Sequence, residues 1–223
     1  MSVLRTIAIG TLLAGMAGTG AYATPITLFD TTGLTSSANE AAASGGFGAH
    51  GALAQSFMTG GSPATLIGIL LNLKLAGTAG LGSVIITLDA ASGSPGTPGT
   101  VLATLGTVLD STLSAKAALT GFSGLNTQLT ANTEYFIVVT DGVAAETTPH
   151  TKVQWLFANV PGGIGTSGQV GLYSASEPTQ WTGITAYPYI LQVEVPEPAT
   201  LAVLGVGIAA LGWARNRRKA RKD

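Results

Sequence analysis

The chain has 223 residues, of which 31 are glycine, 9% are charged and none is cysteine, and its net charge is −1. This composition excludes a disulfide or zinc-thiolate scaffold, a coiled coil and a highly charged disordered chain, and it argues against nucleic acid as a partner. Six of the ten lysines and arginines lie in the last nine residues, whereas Thr24 to Val195 holds three cations and nine acids, a net −6.

Residues 1–23 read as a secretory signal peptide. Arg5 supplies a positive n-region, Ile7 to Ala17 an eleven-residue apolar h-region, and Ala21-Tyr22-Ala23 the small-x-small cleavage pattern, with Ala21 and Ala23 filling the small pockets of signal peptidase. Eleven residues are too few to span about 30 Å of hydrocarbon, which favours a cleaved leader over a membrane anchor. The mature chain is expected to begin at Thr24 after passage through the secretion machinery.

Strand signals then recur between clusters of Gly, Pro, Ser and Asn. They fall at Ile26 to Asp30, Ala52 to Met58, Leu71 to Leu75, Val84 to Leu88, Val101 to Leu109, Glu134 to Thr140, Lys152 to Ala158 and Tyr187 to Val195. Val84, Ile86 and Leu88 form one face of their strand, with Ile85 and Thr87 opposite; in Leu71-Asn72-Leu73-Lys74-Leu75 the alternation is clean. Ala64 to Leu70 is apolar enough for a helix, although Pro63 and Gly68 weaken that reading. Gly93 to Thr100 reads as a turn, because strand signals resume on both sides of it. The expectation is an all-β domain over 24–195, an antiparallel β-sandwich with jelly-roll-like connections.

Convergent polar chemistry is scarce in this middle region. His50 and His150 are the only histidines, no Gly-x-Ser-x-Gly elbow surrounds a serine, and thiol chemistry is absent. Glu134, Asp141, Glu146 and Glu177 cannot be paired from sequence as glycosidase carboxylates. Gly46-Phe-Gly-Ala-His-Gly51 has the Gly-x-Gly-x-x-Gly spacing but precedes a strand instead of opening a helix, so it is not a dinucleotide loop. No EF-hand spacing occurs, and neither a metal site nor a cofactor is expected. Aromatic side chains give the one hint of a ligand surface, since sugar rings stack on them. Trp155 alternates as a core residue, whereas Trp181, in the Pro-Thr-Gln-Trp-Thr-Gly turn, is a candidate glycan contact together with Tyr187 and Tyr189.

The C-terminus, 196–223, has three parts. Pro196-Glu197-Pro198 comes first, then sixteen uncharged residues from Ala199 to Ala214, then a basic end from Arg215. As a helix the apolar run covers about 24 Å, close to a hydrocarbon core, with Trp213 at the interface and the basic end held on the cytoplasmic side. Prolines on both sides of Glu197 predict an extended, accessible segment just outside the bilayer. This arrangement resembles the PEP-CTERM sorting signal of exopolysaccharide-producing Gram-negative bacteria. The resemblance implies that Pro196, Glu197 and Pro198 are recognised by exosortase, a membrane-embedded transpeptidase, and that the chain is anchored transiently in the inner membrane before reaching the cell surface or extracellular matrix.

The middle region also resembles choice-of-anchor domains of the R type. The resemblance lies in Leu53-Ala54-Gln55-Ser56-Phe57, Ser94-Pro95-Gly96-Thr97-Pro98-Gly99-Thr100-Val101-Leu102-Ala103-Thr104-Leu105 and Leu129-Thr130-Ala131-Asn132-Thr133-Glu134-Tyr135-Phe136. It implies an extracellular β domain without an established activity. The expectation is therefore a non-enzymatic surface or exopolysaccharide-matrix protein. The alternative is a glycan-binding sandwich, with exopolysaccharide as its partner.

Overall fold

The computed structural model describes residues 25–35, 52–76, 83–93, 96–141, 152–158, 160–174, 181–184 and 188–197. The expected signal peptide with Ala21 and Ala23, the apolar segment 199–214, Pro198, Tyr187, His50 and His150 lie outside them. Among the described residues no helix is long and apolar enough to cross a membrane.

Among the described residues eleven strands form two antiparallel sheets. They are β1 (Pro25–Asp30), β2 (Ala52–Met58), β3 (Ala64–Ala76), β4 (Ser83–Ser92), β5 (Thr97–Leu109), β6 (Ala118–Leu129), β7 (Glu134–Asp141), β8 (Lys152–Trp155), β9 (Gly171–Ser174), β10 (Trp181–Ile184) and β11 (Leu191–Pro196), with one short 3-10 turn at Asp110–Thr112. The first sheet runs β1-β11-β3-β6 with β8 also on β3; the second runs β10-β9-β2-β7-β4-β5. Only β4–β5 and β9–β10 connect neighbours within a sheet, and every other connection passes to the opposite sheet. Pro25–Glu197 clusters as one compact unit.

The two sheets share one core. Phe29, Ile69, Leu71, Leu73 and Val193 meet Leu53, Phe57, Val84, Ile86, Leu88, Ile137 and Val139 across it. The alternation read in β3 and β4 is the observed one, with Leu71, Leu73, Leu75, Val84, Ile86 and Leu88 buried. β7 is different: Tyr135 to Val139 are buried without interruption. Tyr135, Ile137 and Val139 join the shared core, while Phe136 and Val138 form a second cluster with Ala52, Ala54 and Leu172. A strand buried on both faces reads as a continuous apolar run, and this one does.

Ala64 to Leu70 is strand, not helix, and the site of Gly68 shows why. A Cβ there would stand 3.0 Å from the Glu194 carboxylate, so the glycine makes room for a neighbouring strand's side chain. Opposite it, β6 carries extra residues between its pairings with Leu66 and Gly68, including Gly124 at φ +73°. The turn read at Gly93 to Thr100 is shorter than expected: Thr97 to Thr100 already belong to β5, and of the turn itself Gly93 and Gly96 are described. Gly93 sits at φ +77°, Ser92 pairs with Thr97, and the Thr97 hydroxyl donates to the Ser92 carbonyl at 3.1 Å.

Candidate functional site

The candidate site is the last strand of the fold and the residues that follow it. In β11, Leu191, Val193 and Val195 are buried while Gln192, Glu194 and Pro196 are half-buried, the period-two pattern of a strand with one face on the core. β11 lies between β1 and β3: Leu191 to Glu194 pair with Leu71 to Gly68, and Gln192 to Pro196 pair with Asp30 to Pro25.

The hydrogen-bond direction along β11 follows from one contact. The Thr31 N–H donates to the Leu191 carbonyl at 3.0 Å, so the backbone groups of residues 191, 193 and 195 point to β1 and those of 192, 194 and 196 to β3. Ile26 and Val195 thus form the last hydrogen-bonded pair with β1. Pro25 and Pro196 face each other one step on, where neither owes the other a donor. On the β3 side, pairing has already ended at Glu194 and Gly68. Pro196 therefore closes the strand at a position where its missing N–H costs no ladder bond. The extended conformation read for this segment holds at Pro196, but Pro196 belongs to the sheet, and both it and Glu197 are half-buried.

The chain entering β11 is fixed by buried polar contacts. The Tyr189 N–H donates to Gln55 Oε1 at 2.8 Å, and the Thr31 hydroxyl donates to the Tyr189 carbonyl at 2.8 Å. Trp155 Nε1–H donates to the Ile190 carbonyl at 2.9 Å, and the Leu191 N–H donates to Thr31 Oγ1 at 2.9 Å. At Asn72 the edge of β3 passes from β11 to β8: its N–H donates to the Ile190 carbonyl and its carbonyl accepts from the Leu156 N–H. Each buried main-chain group here has a partner, which a central segment requires.

This geometry removes Tyr189 from the glycan surface expected for it. Tyr189 is 1% exposed, stacked on Trp155 and edge-on to Phe157, because residues 188–190 cross the interior before β11 begins. Trp155 is a core residue, as its alternation indicated. Trp181 lies in β10, not in a turn; it is half-buried against the outer cluster of Ala52, Ala54, Phe136, Val138 and Leu172, and its Nε1 is buried without a hydrogen-bond partner.

Of the four candidate acids, Glu146 and Glu177 lie outside the described residues, and the other two do not converge. Glu134 and Asp141 begin and end β7, so their backbones stand about 23 Å apart at strand rise, beyond the roughly 5–10 Å of a glycosidase pair. Glu134 lies instead against Gly96 in the β4–β5 turn. Asp89 is buried in β4, where it accepts the Thr87 hydroxyl proton at 2.7 Å, and burial pushes its carboxyl above the ordinary aspartate range. Among the described residues no group of three or more His, Cys, Asp or Glu could hold a metal ion.

No curated protein matches this chain. Residues 194–218 match the family model of the PEP-CTERM protein-sorting motif, so the match opens inside β11 and runs on through Pro196, Glu197 and Pro198. The motif implies an exported protein that is sorted by an exosortase and passes through the membrane to the cell surface.

Proposed function

We propose that the chain is a non-enzymatic cell-surface or exopolysaccharide-matrix protein, a choice-of-anchor type β-sandwich delivered as an exosortase substrate. The observation that carries this reading is the sorting-motif match at 194–218, which continues directly from the final strand of the folded unit. In this account Pro196, Glu197 and Pro198 are recognition elements, and the chemistry belongs to the processing enzyme. The apolar run 199–214 stalls translocation, and the basic end keeps the tail's last residues cytoplasmic. The β domain folds outside, where a cysteine-free core held by side-chain packing and buried hydrogen bonds does not depend on disulfide oxidation.

The test is intact-mass analysis of the protein from an exosortase-bearing host, with and without the enzyme. The expected product begins near Thr24 and ends in the Pro-Glu-Pro region, and it disappears when the enzyme is removed or when residues 196–198 are all changed to alanine. A chain that still ends at Asp223 in the presence of the enzyme overturns the proposal.

A further inference from the structure

The sorting match opens at Glu194, yet Glu194, Val195 and Pro196 are ladder residues of a folded sheet. A processing cleft takes its substrate extended, with main-chain groups available to pair with the enzyme. Here those of Glu194 and Val195 are already used, and Pro196 is held beside them at the end of the ladder. Glu194 is paired on both sides, with Thr27 and with Gly68. Val195 is 4% exposed and paired with Ile26, and Pro196 lies opposite Pro25. Past Glu194, β1 is the one strand still paired with β11 among the described residues.

β1 divides into a fastened half and a looser one. Phe29 is fully buried in the core, Asp30 exchanges main-chain hydrogen bonds with Ile164 at 2.8 and 3.0 Å, and the Thr31 hydroxyl is tied to Tyr189 and Leu191. A break in register between Thr27 and Phe29 separates this anchor from Pro25, Ile26 and Thr27. A β-bulge is where a strand bends and pairing is interrupted, so the first three residues can peel away while the rest of β1 stays in place.

We propose that Pro25–Thr27 is a latch on the sorting motif. While it pairs with Glu194–Pro196, only the chain beyond the ladder can be drawn into a processing cleft, and release of the latch exposes Val195 and Pro196. The latch rests on the reading that the tail is an exosortase substrate, and it makes the edge of the folded domain a determinant of where and how fast the tail is cut.

Two variants of the full chain test it. Ile26→Pro removes the Ile26 N–H from the last hydrogen-bonded pair. Thr27→Cys with Glu194→Cys places a disulfide at a non-hydrogen-bonded position in a chain with no other cysteine. In the exosortase-bearing host, the oxidised double variant should be processed about tenfold more slowly than Glu194→Cys alone, and Ile26→Pro faster than wild type. In detergent-solubilised full-length protein, a glutamyl endopeptidase cutting after Glu194 should cleave Ile26→Pro at least about tenfold faster than wild type. Equal endopeptidase rates in wild type and Ile26→Pro, with near-UV spectra unchanged, overturn the latch, and so does processing of the oxidised double variant at the rate of Glu194→Cys alone. Processing unaffected by alanine at residues 196–198 overturns the sorting reading instead, and the endopeptidase comparison still decides the latch.

Discussion

Trp155 and Tyr189 stack with ring centroids 4.7 Å apart and planes inclined by 22°, and the same indole donates to the carbonyl of Ile190, the residue next to its stacking partner. One side chain thus packs the core and fixes the backbone that enters β11. Trp155→Ala removes both roles and leaves a large cavity, at a cost of about 3–5 kcal/mol in a denaturant titration. Trp155→Phe keeps most of the packing and deletes the donor, for about 1–2 kcal/mol, because the Ile190 carbonyl still accepts from the Asn72 N–H. Equal losses in the two variants would show that the indole N–H, not the stacking, dominates.

Gln55 is the polar counterpart of that stack. It is fully buried in β2 of one sheet, its amide donates to the carbonyls of Ser56 and Val170, and its oxygen accepts from Tyr189 at the entry to the other sheet. Gln55→Leu leaves the Tyr189 N–H buried with no acceptor, which costs about 1–3 kcal/mol despite the gain in apolar surface. Gln55→Glu keeps an acceptor but places a carboxylate in the interior, so its loss should grow as pH rises from 4 to 8. Stability measured across that range separates the two effects, and a flat profile for Gln55→Glu would contradict the burial argument.

The strands that were legible in the sequence are those with an apolar face against the shared core. β3 beyond Leu70 and β4 alternate in period two, and Tyr135 to Val139 of β7 run unbroken because both faces of that stretch are covered. β6, β9 and β10 carried no such signal. β6 reads Ala-Leu-Thr-Gly-Phe-Ser-Gly-Leu-Asn-Thr-Gln-Leu and is held by main-chain pairing with β3, which composition does not report. Tyr189 was misread for a related reason. It falls in the strand signal from Tyr187 to Val195, but that signal does not show that the chain around it crosses the core, a crossing set by Gln55, Thr31 and Trp155, more than thirty residues away in sequence. The three-part tail was legible as a motif, but its first residues belong to a sheet, and only the pairing of Pro25 with Pro196 reveals that.

Where β5 and β6 close one flank of the sandwich, the absence of a side chain is structural. Phe122 of β6 packs its ring against Gly106 of β5, in the space a Cβ at 106 would take. Gly106→Ala should destabilise by about 1–3 kcal/mol, since a rigid aromatic edge can move only by disturbing the core it touches. Phe122→Leu alone loses packing. In the double variant the losses should be less than additive, with a coupling of roughly 0.5–3 kcal/mol in a double-mutant cycle. Strict additivity would mean the two residues do not share that space.

Asp89 gives the fold a pH dependence of unusual sign for a carboxylate. Burial raises its pKa above the ordinary value of 3.8, and the hydrogen bond from Thr87 offsets only part of that shift. In the unfolded chain the group ionises at its ordinary value, so the folded state binds the proton more tightly. Below pH 3.8 both states are protonated and Asp89 carries no penalty. As pH rises through the folded-state pKa, the buried group must ionise or stay protonated at a cost, and stability falls. Asp89→Asn keeps an oxygen to accept the Thr87 hydroxyl proton and removes the charge. The variant should therefore melt higher than wild type at pH 7 and no higher at pH 3. A variant that is less stable at pH 7 would show that the ionised carboxylate is the form the fold prefers.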